Sequence, residues 1–325
     1  MRKLFLFAAV LVVFGATCLQ AAEKYTMISV PKIRSPWFND LEVGILKAKV
    51  DFGIKEVYQQ APASADEAQQ VRIIEDAISQ GVNTIMVVPN DANSCVPTFT
   101  RARQQGIAVL THESPNQPEA DYDVEMIDNV KFGEHAIDTL VKDIGSDNAE
   151  YVIFVGSLTV PAHNIWADAA IAHAKVKYPN LKLVADRFPV SEDRNAARQQ
   201  TLELLMTYPN LKGVLAFGSQ GAPGAAQALR EKNIINNIAV IGTTSPNEAA
   251  SFLKDGSMNH SVLWSPGEAG RAMVYLAKLI LDGERAKIKQ GLDIPGLGVP
   301  TISGNIILFD RPLTVDGTNY SQYDF

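Results

Sequence analysis

Short β-branched and apolar runs alternate with amphipathic stretches along almost the whole chain, and this alternation limits the fold to an α/β class. The runs are Tyr25–Val30, Thr84–Val88, Ala108–Thr111, Tyr151–Val155, Gly213–Ala216, Ile238–Ile241 and Ser261–Leu263. Helical periodicity fills the gaps over Asp40–Phe52, Ser64–Gln80, Cys95–Gln105, Lys131–Ile144, Asn164–Tyr178, Arg194–Thr207, Ala222–Lys232, Pro246–Lys254 and Pro266–Leu281. Strands joined through helices by short connections pair in parallel. Gly81 and Gly106 supply helix stops. The series divides into two similar halves, about Lys24 to Met126 and about Asn129 to His260. The prediction is α/β, with two doubly wound parallel-sheet lobes. After Leu281 the chain becomes turn-rich through Gly291–Pro300, with a strand candidate at Ile306–Phe309, and such a tail can cross back between lobes.

The length of 325 residues also points to two domains, because single cores stop growing near roughly 250–300 residues. The first 22 residues read as a secretory signal peptide: Met1-Arg2-Lys3 is basic, Leu4 to Ala16 is apolar, and Ala21-Ala22 offers small residues for cleavage. Cys18 as a lipid anchor is the alternative, although Phe14-Gly15-Ala16-Thr17 matches that pattern poorly. The expected location is therefore the periplasm. Cleavage leaves Cys95 as the only cysteine, so no internal disulfide is expected, and its place at a helix start reads as buried. The net charge of −7 and the lack of a basic run argue against a nucleic-acid surface.

In an open α/β sheet, ligands sit beyond the carboxyl ends of the strands. The first such end carries Lys32, Trp37, Phe38 and Asn39 where a nucleotide site would place glycines. A cation, two rings and an amide suit a small, neutral, polyhydroxylated ligand; the alternative is that Trp37 and Phe38 cap the sheet as core. The next ends present Asn90 and Asp91, as ligand contacts or helix caps, and then His112-Glu113. Neighbours on a strand point to opposite faces, so His112 and Glu113 do not share a metal, and Glu113 is the site candidate, placed to compensate Lys32. In the second half His163 and Asn164 open a helix, and Asp193 precedes the Arg194 helix as cap or ligand. Ser219 and Gln220 can bind hydroxyls, Phe217 and Trp264 can supply apolar walls, and Trp166 reads as core.

No nucleophile elbow, zinc-protease motif, phosphate-binding loop or dinucleotide fingerprint is present. The 5 histidines are scattered, so neither a metal nor a cofactor is expected.

Several segments carry a family likeness: Val30-Pro31-Lys32, Trp37-Phe38-Asn39, Val88-Pro89-Asn90-Asp91, Arg101-Ala102 with Gly106-Ile107-Ala108-Val109, Ala225-Ala226-Gln227-Ala228, Ser245-Pro246-Asn247 and the terminal Gln322-Tyr323-Asp324-Phe325. In their order and spacing the chain resembles the periplasmic sugar-binding proteins of ABC importers, of the ribose-binding-like two-lobe type. The likeness is closest to the branch of autoinducer-2-binding and rhamnose-binding proteins. It implies a three-segment hinge, with one lobe over residues 23–128 plus 264–301 and the other over 129–263 plus 302–325. It also implies Lys32 and Glu113 as ligand contacts, and permease and ATPase subunits in the inner membrane as partners. A chemoreceptor or sensor kinase is a further candidate partner, and a monomer is expected. Departures from the autoinducer-2 pattern, at Glu113, Ala162-His163, Phe217 and Ser219, point to another sugar, polyol or short ketose. The expected function is capture of such a molecule without chemical change. The alternatives are an autoinducer-2 receptor and a carbohydrate-active enzyme pairing Asp91 with Glu113.

Overall fold

The computed structural model describes residues 24–235 and 237–325. The export signal expected over residues 1–22, Cys18 included, lies outside the described residues. The first lobe opens with β1 (Lys24–Val30), α1 (Pro36–Phe52), β2 (Ile54–Gln59), α2 (Glu67–Ser79), β3 (Thr84–Val87), α3 (Ala92–Gln104), β4 (Ala108–His112) and β5 (Tyr122–Glu125). The second runs through α4 (Asn129–Ile144), β6 (Glu150–Val155), α5 (Pro161–Lys177), β7 (Lys182–Leu183), β8 (Phe188–Pro189), α6 (Arg194–Thr207), β9 (Leu211–Ala216), α7 (Gly221–Lys232), β10 (Ala239–Gly242), α8 (Pro246–Asp255) and β11 (His260–Leu263). The chain then returns through α9 (Pro266–Leu281), β12 (Thr301–Ser303), β13 (Ile306–Leu308) and β14 (Leu313–Asp316).

Local chemistry sets the helix starts. Asp66, Asp91, Asp128 and Asp193 accept from first-turn N–H groups of α2, α3, α4 and α6. Prolines 36, 161, 246 and 266 open α1, α5, α8 and α9, where a missing N–H does no harm. The central strands β3, β4, β9 and β10 are buried on both faces or nearly so, as parallel strands under two helical layers must be. On β1, Met27 joins one apolar cluster, which runs on through the second lobe, while Ile28 and Val30 join another with Ile74 and Phe99.

The first sheet has the order β12-β13-β5-β4-β3-β1-β2, and the second β14-β11-β10-β9-β6-β7 with β8 also on β6. Within each, the pairs are parallel except β12 on β13 and β14 on β11, which are antiparallel. The chain passes between lobes at 126–128, at 264–265 and at 309–312. The third passage corrects the boundary expected at residue 301. Ile306–Leu308 pair in parallel with Asp123–Glu125, so both β12 and β13 stay in the first sheet. Helix α9 also belongs to the first lobe, where Gly44 and Gly267 bring it against α1; a Cβ on Gly44 would lie 2.1 Å from the Gly267 carbonyl oxygen.

Candidate functional site

Strand ends from both sheets converge on one chamber between the lobes. The first lobe contributes Lys32 beyond β1, Trp37 and Phe38 from the first turn of α1, and Glu113 beyond β4. The second contributes His163 and Trp166 from α5, Glu192 beyond β8, Gly218 and Ser219 beyond β9 and Thr243 beyond β10, with Trp264 from the second passage. The space left is about 10 Å³, room for roughly one water and too little for a sugar ring. With the lobes apposed in this way the chamber is filled by its own side chains.

Lys32 is the centre of the cluster. Its Nζ donates to Glu113 Oε2 at 2.7 Å and lies 3.4 Å from Glu192 Oε1 and 2.9 Å from His163 Nε2. Its own carbonyl accepts from Asn90 Nδ2 at 2.7 Å, and Asn90 N–H in turn donates to Gln70 Oε1 at 2.9 Å. Gln70 Nε2 donates to the carbonyls of Val30 and Val88, so this one buried amide ties the ends of β1 and β3 together. Glu113 sits in the left-handed region at φ 58°, a conformation non-glycine residues seldom adopt outside constrained positions.

Burial pushes the Lys32 ammonium's pKa down, but Glu113 and Glu192 outweigh it and hold that pKa above the usual lysine value. Burial pushes Glu113 upward, and Lys32 with His112 pulls it below the ordinary glutamate range. Glu192 is raised, because its burial outweighs the pull of Lys32. Burial and then Lys32 hold His163 well below the usual histidine value, so the ring is neutral. Its Nδ1 accepts the Gly156 N–H at 3.0 Å, which leaves the imidazole proton on Nε2. The Lys32 and His163 donors thus face each other across the lobe boundary. On the other side of the balance, Glu192 Oε2 and Thr243 Oγ1 are buried with no hydrogen-bond partner among the described residues.

Indole rings wall this polar centre. Trp37 and Trp264 meet edge to face at 5.1 Å, and Trp166 and Trp264 at 5.4 Å. Trp264 Nε1 donates to His112 Nε2 at 3.2 Å, and His112 Nδ1 donates to the Val124 carbonyl at 2.6 Å. Trp166 Nε1 donates to Asn129 Oδ1 at the start of α4, and its ring stacks on His163 at 5.2 Å.

The structure thus brings Lys32, Trp37, Phe38, Glu113, His163, Ser219 and Trp264 into one chamber. Asn90 stands behind it and positions Lys32. Asp91 does not line it; the carboxylate caps α3 through Ser94 N–H at 2.7 Å. The expected Asp91–Glu113 carboxylate pair is therefore not assembled across the chamber. Asn164 is likewise turned away, donating to the Ser157 and Val160 carbonyls and accepting from Arg187. Phe217 packs behind Trp166, at 5.7 Å, as core. Asp193 caps α6, and Gln220 bonds Glu248 and Arg194; both border an outer crevice of about 480 Å³ that also reaches Glu192. Sequence reasoning missed Glu192, Thr243 and Gly218; Trp166, read as core, is buried in the core and also lines the chamber. Trp166 at i+3 from His163 was the available signal, since that spacing stacks the two on one helix face. Among the described residues no group of three or more metal-ligating side chains forms a metal site, and no helix is long and apolar enough to cross a membrane.

The chain is similar to proteins of matching architecture. The D-allose-binding periplasmic protein of Escherichia coli is 24% identical over 278 residues, 83% of this chain and 88% of that protein. The ribose import binding protein of Bacillus subtilis is 25% identical over 260 residues, 80% and 82% of the two chains. LsrB from Clostridium saccharobutylicum, solved in complex with AI-2, superposes with a TM-score of 0.85 at 24% identity over 92% of this chain and 100% of that one. An ABC transporter solute-binding protein from Clostridium phytofermentas with bound L-rhamnose gives 0.84 at 23% identity, over 93% and 98%. Residues 26–285 match the family described as periplasmic binding protein domain, and the chain belongs to that family.

Proposed function

We propose that this protein captures a small uncharged sugar, polyol or related short carbohydrate between its lobes and delivers it to a membrane permease driven by an ATPase subunit. The observation that carries this reading is the imbalance in the chamber. Two donors, Lys32 and His163, oppose each other at 2.9 Å, while among the described residues Glu192 Oε2 is an acceptor without a donor and the Thr243 hydroxyl makes no hydrogen bond. Hydroxyl groups donate and accept, so a polyhydroxylated ligand entering as the lobes part would relieve both faults. The indole walls suit the apolar faces of a sugar ring. The sugar-binding relatives favour the same class. Closure around the ligand would present one joined surface for a permease to read, and for a chemoreceptor or sensor kinase if one exists. The protein would work as a monomer in the periplasm, after loss of residues 1–22, and would return its ligand unchanged.

The test is isothermal titration with ribose, allose, rhamnose, arabinose, xylitol and autoinducer-2, paired with small-angle scattering. Saturable binding of at least one sugar or polyol, a smaller radius on binding and recovery of the compound intact are expected. No binding across the panel with an unchanged radius would overturn the proposal, and turnover of the bound compound would favour the enzyme reading.

A further inference from the structure

The chamber holds two carboxylates against one ammonium. Lys32 is neutralised by Glu113 at 2.7 Å, and His163 is uncharged. Glu192 is the second carboxyl group on that one ammonium; burial raises its pKa, and Lys32 favours its charged form. Its side chain is 6% exposed; Oε1 lies 3.4 Å from Lys32 Nζ and 3.8 Å from His163 Nε2. Oε2 makes no hydrogen bond of good geometry among the described residues, although the Ser219 N–H lies near enough to pull the carboxyl's pKa down.

The backbone is shaped to admit this side chain. A Cβ on Gly156, at the end of β6, would stand 2.8 Å from Glu192 Cγ and 3.0 Å from His163 Nδ1. Only glycine at 156 leaves room for both groups. Glu192 also borders the outer crevice of about 480 Å³, which Ser35 lines as well; the buried Ser35 Oγ has no partner among the described residues. The carboxylate thus lines both the chamber and that crevice.

We propose that Glu192 touches the ligand and sets its charge class: uncharged or amine-bearing polyhydroxylated molecules are admitted, and carboxylated or phosphorylated ones are refused. An anionic ligand would bring a third acidic group to a single ammonium in a site that excludes water, where charges are weakly screened. A hydroxyl or ammonium proton would instead fill the unused Oε2 acceptor. This inference rests on the carbohydrate reading and adds to it a residue and a selection rule.

The test uses matched series that differ only in charge: glucose, glucosamine and glucuronate, then galactose, galactosamine and galacturonate, then ribose and ribose 5-phosphate. Each is titrated calorimetrically, with thermal shift as a second readout, into the wild-type protein, Glu192→Gln and Glu192→Asp. In each series that binds, the wild type should prefer the neutral or amino member over the anion by a hundredfold or more. Glu192→Gln should narrow that gap to tenfold or less and weaken the amino member, and Glu192→Asp should keep most of the gap. Three results would overturn the selection rule while sparing the carbohydrate reading. They are anions binding the wild type as well as neutral members do, an undiminished gap in Glu192→Gln, and an equal loss of all classes in that variant. If no member of any series binds the wild type, the carbohydrate reading falls and this inference falls with it.

Discussion

At the scale of single residues, the strand ends were readable where a polar group follows directly on an apolar run. Lys32, Glu113 and Trp264 follow β1, β4 and β11 in this way. Glu192 follows β8, whose two residues, Phe188 and Pro189, are too few to read as a strand, so nothing in the sequence marked it as a strand end. Asp91 and Asp193 stayed open between cap and ligand for the opposite reason, because a capping aspartate and a binding aspartate occupy the same place after a strand, and both prove to be caps. A second acidic pair went unread altogether. Asp123 and Glu125, on β5, are both buried; Asp123 Oδ1 accepts from Thr111 Oγ1 at 2.6 Å, and Asp123 Oδ2 and Glu125 Oε1 have no partner among the described residues. Burial raises both carboxyls, and the neighbouring Asp123 helps push Glu125 well above the usual range. A group whose pKa is higher folded than unfolded supports the fold at low pH, and that support is lost as pH climbs through the folded value. Glu125→Gln fixes the uncharged form. The wild type should therefore lose stability relative to this variant as pH rises from 5 to 9, by about 1 kcal/mol or more, one pKa unit being worth about 1.4 kcal/mol. Glu192 and His163 titrate in both proteins and cancel in the difference. Urea denaturation at each pH measures it, and a flat difference would mean that Glu125 is not held protonated.

At the scale of elements, the sequence yielded the central strands and the helices but not the sheet edges. β2 reads Ile-Lys-Glu-Val-Tyr-Gln and β14 Leu-Thr-Val-Asp, edge strands with polar positions that break the apolar run. β5 was hidden because two of its four residues are the buried acids just described. Also invisible was the way the helices pair. Three adjacent pairs approach at a glycine: a Cβ on Gly44 of α1 would meet the Gly267 oxygen of α9 at 2.1 Å, one on Gly133 of α4 the Trp166 oxygen of α5 at 2.3 Å, and one on Gly224 of α7 the Arg194 oxygen of α6 at 2.5 Å. In each case the obstacle is backbone, which cannot rotate aside as a side chain can. Alanine favours helix over glycine by about 1 kcal/mol at an open position, so the sign of the effect reports the packing. Gly44→Ala should lower stability by about 2 kcal/mol or more, within or above the usual range for overpacking. Gly133→Ala should also move Trp166 and weaken ligand binding. A denaturation midpoint for Gly44→Ala equal to or above the wild type would show that α1 and α9 can part without loss.

At the scale of the molecule, the two similar halves of the sequence gave the two lobes, while the path of the tail between them was misplaced. The tail is bound to the first passage rather than lying loose. Phe309 N–H donates to the Glu125 carbonyl at 2.9 Å, and Arg311 N–H to the Met126 carbonyl at 2.6 Å. Between them Asp310, at φ 51°, accepts the Asp128 N–H on Oδ1 at 3.1 Å and faces Lys131 at 3.4 Å. Arg311 adds a 3.1 Å ion pair to Glu268 at the start of α9, beside the second passage. The three passages are thus cross-linked while the lobes are apposed, and any rotation that opens the chamber has to change dihedrals at these residues. Asp310→Gly removes the side-chain tie and relieves the left-handed backbone, leaving the flanking backbone bonds in place. Its folding stability should stay within about 1 kcal/mol of the wild type, since the lost cap-like bond and the relieved strain oppose each other. Its balance between open and closed forms should move toward open. Apparent affinity scales with the population able to close, so sugar affinity should fall several-fold while the radius of the free protein grows. Asp310→Asn, which keeps one acceptor oxygen for the Asp128 N–H, should restore most of the affinity. Calorimetric titration with the tightest-binding sugar of the panel, together with scattering of the free protein, reads both quantities. Equal affinity and equal radius in Asp310→Gly and the wild type would place the control of closure elsewhere, in the contacts of Lys32 with Glu192 and His163 across the chamber itself.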